Sequence, residues 1–106
     1  MTKAVEWQAM RTVLGSELLV RLLGISSDRS LRRYASDERS TPEDVGARLC
    51  WLAMRVVELA GAYDDSGVRL WMQCPRAQLG GLSPQQFLGD DWSPASPEAR
   101  RVQALA

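Results

Sequence analysis

The chain has no histidine among its 106 residues. That removes the side chain most often used as a general base near neutral pH, and the commonest metal ligand. Cysteine is scarce: Cys50 and Cys74 stand alone, without paired spacing, so no structural zinc site is expected. Both thiols are expected to be reduced and partly buried, as in a cytoplasmic protein. No apolar run approaches the ~18 residues of a membrane span. The N-terminus also lacks the charged segment, apolar stretch and cleavage site of a signal peptide. Net charge is absent too, with thirteen basic and thirteen acidic residues, so no overall field draws the chain to nucleic acid or anionic lipid. Gly80-Gly81 has no following lysine and makes no phosphate-cradling loop. The acid pairs Glu43-Asp44, Asp64-Asp65 and Asp90-Asp91 precede or open helices, where capping and the helix dipole account for them. These absences point to a binding protein without metal or cofactor, not to an enzyme.

Helix start and stop signals fill the chain, and no strand-like alternation lasts more than a few residues, so the expected fold is all-α. A first helix is expected over Glu6–Leu14, stopped by Gly15. Ser16 is read as the cap of a second, Glu17–Leu23, with Leu18, Leu19, Leu22 and Leu23 as its inner stripe. Gly24 ends it, and a third helix runs from about Asp28 to Ser36 with Leu31 and Tyr34 inward. Thr41-Pro42-Glu43-Asp44 supplies a hydroxyl cap, a first-turn proline and two acids. The helix it opens is expected to reach about Tyr63.

In that long helix Val45, Leu49, Leu52, Val56, Leu59 and Tyr63 form one apolar seam, and Cys50, Met54 and Val57 a second row beside it. Asp44, Arg48, Arg55 and Glu58 make a polar line that Trp51 interrupts. Such a helix is expected to be central or to form one side of a homodimer interface. Further helices are expected over Gly67–Gln73, from Ser83-Pro84 to Leu88, and from Ser96-Pro97 onward.

Basic residues gather early: residues 1–40 carry seven basic and five acidic side chains, residues 41–106 six and eight. The second and third helices look like a helix-turn-helix, with a turn one residue longer than usual and Val20 at a position often held by alanine. In such units the second helix enters the major groove. Ser27, Arg29, Ser30, Arg32, Arg33 and Arg39 are the candidate DNA contacts. A solvated arginine face in a helical bundle is the alternative.

The stretch from Trp71 to Leu88 is the most punctuated: a tryptophan helix running into Pro75, then Leu79-Gly80-Gly81, then Ser83-Pro84 and Phe87-Leu88. Ala99-Arg100-Arg101-Val102 follows in the last helix. This ordered string resembles the toxin-binding domain of the Xre/MbcA/ParS type of antitoxin. It departs at Arg76, where the family often has asparagine, and in its longer Asp90–Pro97 linker.

The resemblance implies an antitoxin in three parts: a helix-turn-helix-like region over 1–40, a long linking helix over 41–63 and a toxin-binding-like subdomain over 64–106. Its partner would be a RES-type, NAD-degrading toxin, bound over the active site, and its helix-turn-helix would repress its own operon. Trp71, Arg76, Leu79, Gly80, Gly81, Ser83, Pro84, Phe87, Trp92, Arg100 and Arg101 are the implied partner-binding residues. Trp71 and Phe87 are expected as core that shapes the clamp more than as contacts it makes, whereas Trp92 and Trp51 are expected at an interface. The alternative is a stand-alone helix-turn-helix regulator that uses its C-terminal region to dimerise.

Overall fold

Left-handed glycines set the N-terminal path. Gly15 (φ 83°) stops the first helix by donating to the Arg11 carbonyl and starts the second by accepting from Leu19 N–H. Gly24 (φ 70°) closes that second helix, and N–H groups of Gly24 and Ile25 return to the carbonyls of Arg21 and Val20. Such a closure needs a residue that tolerates positive φ without steric cost.

The computed structural model describes residues 3–25, 27–36, 38 and 40–106, without the side chains of 3–6. Among these the fold is all-α: α1 (Lys3–Leu14), α2 (Ser16–Leu23), α3 (Asp28–Ala35), α4 (Glu43–Ala60), α5 (Asp65–Gln73), α6 (Pro84–Leu88) and α7 (Pro97–Leu105), with a 3-10 turn at Ala77–Leu79. Four side-chain caps explain several starts: Ser27, Asp64, Ser83 and Ser96 each accept from a backbone N–H three residues on. Two expected caps are corrected. Ser16 lies inside α2, whose N-cap is Gly15, and Thr41 caps nothing, because Pro42 occupies the N-cap of α4.

One apolar cluster joins the helices, from Trp7 and Met10 of α1 through Leu31 and Leu49 to Ala99 and Val102 of α7. α1 lies against α5, which ties the start of the chain to its C-terminal half. α2 and α3 pack on each other, and the rings of Trp7 and Tyr34 stack across α1 and α3 with centroids 6.2 Å apart. The Cα radius of gyration of 13.1 Å is what one continuous core of this length gives.

The long helix is turned differently from its sequence reading. Val45, Leu49, Leu52 and Leu59 are buried as expected, but so are Trp51 and Arg55 from the supposed polar line. Conversely Cys50, Met54 and Val57 face outward, Met54 at 60% and Val57 at 74% exposure, and Cys74 is exposed as well. Helix α4 ends at Ala60, so Tyr63 lies past the seam and is exposed. No helix among the described residues is long and apolar enough to cross a membrane.

Candidate functional site

The sequence-derived candidates fall on two surfaces, and a third group proves to be interior. The first surface is the outer side of α3. Leu31 and Tyr34 turn inward, which places Arg29, Arg32 and Arg33 on the opposite side with Ser36. Ser27 is committed to the helix start: its hydroxyl oxygen accepts from Ser30 N–H at 3.3 Å. Asp28 Oδ2 lies 3.0 Å from Arg32 Nε, so this guanidinium is held along the helix. Arg29 and Arg33 make no ion pair or side-chain hydrogen bond among the described residues, and Arg39 lies outside them. The arginines border an open groove of about 860 Å³ that α1 completes with Gln8 and Arg11. Sequence reasoning missed these two, because nothing local to α1 announces that it will lie beside α3.

The second surface is the turn between α5 and α6. Pro75 ends α5, and the chain then closes a small loop in which Arg76 N–H donates to Leu82 O (3.0 Å) and Gly81 N–H to Arg76 O (2.9 Å). Both Gly80 (φ 69°) and Gly81 (φ 85°) are left-handed, which fixes glycine as the residue type the turn requires. Directly behind it, Ser83 and Gln86 form a reciprocal capping box that starts α6 at Pro84. Arg101 of α7 ties in from the side, its Nη2 donating to Gln78 O at 3.1 Å.

Burial divides the implied partner residues on this surface. Trp71, Leu79, Ser83 and Pro84 are buried, and Phe87 is half-buried against the core. These residues shape the turn. Gly80, Gly81, Arg100 and Arg101 are exposed, as is Leu82, which the sequence reading did not single out. Arg76 is half-buried, with its guanidinium carbon 4.6 Å from the Trp71 ring centroid. Its Nε is buried without a hydrogen-bond partner among the described residues.

The interior group corrects the placing of Trp92 and Trp51 at an interface. Trp92 is 3% exposed and Trp51 5%, and their rings meet edge to face with centroids 5.0 Å apart. Trp92 Nε1–H donates to Leu22 O at 2.8 Å, at the C-terminal end of α2. Arg48 caps the same end: Nη1–H donates to Leu23 O (3.1 Å), Nε–H to Trp92 O (2.8 Å) and Nη2–H to Asp90 O (3.1 Å). Arg48 lies 5.3 Å from the Trp92 ring centroid and Arg55 5.0 Å from that of Trp51, so each indole of the touching pair carries one guanidinium. Arg55 is 2% exposed and reaches Glu58, with Nη2–H donating to Oε1 at 3.0 Å. A proline-rich loop with a lone tryptophan reads in sequence as a surface feature. Here the ring is the peg that fastens that loop to α2 and α4.

No group of three or more acids and cysteines that could hold a metal is present among the described residues. Comparison with protein-family models, curated proteins and solved structures gives no match.

Proposed function

We infer that this chain is an antitoxin: it neutralises a RES-type, NAD-degrading toxin with the turn between α5 and α6, and binds operator DNA with α3. The observation that carries the reading is the construction of that turn. Trp71, Leu79 and Pro84 are spent on packing and Arg76 is half-buried on the Trp71 ring, while Gly80, Gly81, Leu82 and Arg101 are exposed around a loop held by backbone hydrogen bonds and two left-handed glycines. A loop ordered before binding loses little entropy on association. Arg76, already seated on an indole, belongs to the residue type that most often dominates protein interfaces. Blocking an active-site entrance takes a surface and no catalytic group, which suits a chain without histidine.

The antitoxin is further proposed to act as a homodimer, which the outward row Cys50, Met54 and Val57 on α4 supports as an apolar stripe uninterrupted by charge. The arginines of α3 support the repressor part. The same two features also fit a stand-alone regulator that dimerises and binds DNA without a toxin partner.

Co-expression separates the two. An antitoxin restores growth to cells expressing the RES-domain protein encoded beside it, and the two proteins co-purify. Failure of both sinks the antitoxin reading and leaves the regulator.

A further inference from the structure

The groove beside α3 has a contributor that a two-helix DNA-binding unit does not require. Arg11, in the last turn of α1, lines it together with Arg29, Arg32 and Arg33, and Gln8 lies one turn earlier on the same helix. Four guanidinium groups line the groove with one described carboxylate, Glu38, and a second, Asp28, lies against two of them. Asp28 is already drawn to the arginines, with Oδ2 at 3.0 Å from Arg32 and Oδ1 at 3.9 Å from Arg11. The latter distance is too long for a hydrogen bond, and Oδ1 is buried without a hydrogen-bond partner. The other polar contact of Arg11 is Nε–H to Ser16 Oγ at 3.4 Å. Its terminal N–H groups, on a side chain 35% exposed, are therefore held near the groove without a hydrogen bond among the described residues.

The geometry points to a seat for a nucleic-acid backbone phosphate between α1 and α3, with Arg11 as its donor from the α1 side. This rests on the DNA-binding reading of α3 and adds a contact that α3 alone does not supply. The chemistry favours phosphate because guanidinium groups offer forked N–H donors to an oxyanion. A polymer fits better than a free ion because the arginines are spread along an open groove. Arg29 and Arg33 are separated by one helical turn, about 6 Å of axial rise, so they meet successive anionic groups and do not enclose one. Asp28 then acts as an aiming group, drawing Arg11 of α1 to the side of the groove where it already holds Arg32 along α3.

The test is the salt dependence of binding to duplex DNA, read by fluorescence anisotropy on operator and unrelated duplexes, with inorganic phosphate as a competitor. Each phosphate contact contributes about 0.9 to the slope of log affinity against log salt. Arg11→Gln should lower that slope by about 0.9 and weaken operator and unrelated duplexes by the same factor. Arg11→Lys should keep the wild-type slope. Gln8→Lys, at an exposed site that needs no buried partner, should steepen the slope by a similar amount. If Arg29→Ala with Arg33→Ala abolishes binding while Arg11→Gln and Gln8→Lys keep the wild-type slope, the seat is refuted and the DNA-binding reading stands. If the wild type binds no duplex at low salt, both fall. Millimolar inorganic phosphate displacing the duplex beyond its ionic-strength effect would mark an ion site and overturn the polymer assignment.

Discussion

The indole N–H of Trp92 donates to the carbonyl of Leu22 at 2.8 Å, 70 residues away in the chain. The bond joins the last turn of α2 to the loop before α7, and it satisfies a carbonyl that the helix end leaves without an intrahelical partner. Trp92→Ala should therefore destabilise the fold by about 3–5 kcal/mol. Trp92→Phe keeps an aromatic ring but orphans that carbonyl and should cost about 1–2 kcal/mol. Urea unfolding measures both, and an alanine variant as stable as the wild type would remove Trp92 from the core.

Arg48 makes three carbonyl hydrogen bonds at the same junction. Arg48→Met should lower stability by about 3 kcal/mol, since hydrogen bonds to charged groups are the stronger kind and three carbonyls lose a donor together. Arg48→Lys should recover only part of this, because an ammonium lacks the planar fork that spans separated carbonyls. Full recovery by lysine would mean that charge alone holds the junction.

Gly24 reports on the same site from the other side. A β-carbon there would sit 2.6 Å from Arg48 Nη1, on a residue at φ 70°. Gly24→Ala should cost about 1–2 kcal/mol from the left-handed backbone alone, plus whatever Arg48 loses by moving. The double variant Gly24→Ala with Arg48→Met should then be less destabilised than the two single changes added together, which a double-mutant cycle in urea can measure.

The stripe on α4 predicts a change in assembly. Met54→Lys and Val57→Glu replace side chains exposed in the single chain and should alter its own unfolding by no more than about 0.5 kcal/mol, any larger loss being the concentration-dependent contribution of pairing. If the chain pairs through this face, light scattering should show the wild type at twice its 11.8 kDa mass and the double variant as a monomer. A wild type that is monomeric at high concentration would leave the stripe without a role in pairing.

The sequence carried the helices well because their punctuation is local. Ser83-Pro84, Ser96-Pro97 and Asp64-Asp65 act within one turn, and a helix opens at each, the one at Asp65 two residues earlier than expected. The rotation of α4 was not legible for the opposite reason. Trp51 meets the ring of Trp92, which comes from far along the chain, and Arg55 is covered in turn by Trp51. A charged residue counted as polar by periodicity can be interior when an indole covers its guanidinium and a carboxylate reaches it, as Glu58 does for Arg55. Arg11 escaped notice similarly, since its place beside α3 is set by how α1 docks and not by its neighbours in sequence.

The most direct test of the antitoxin proposal is a titration of the purified chain into a RES-domain toxin from an adjacent reading frame, the partner the proposal requires, with NAD consumption as the readout. The account predicts that NAD loss falls to background near stoichiometric addition. Arg76→Ala, folded as stably as the wild type to within about 1 kcal/mol, should weaken this inhibition by roughly 30-fold, corresponding to the loss of about 2 kcal/mol at an interface anchor. NAD consumption that stays unchanged at a large molar excess of the chain would contradict it.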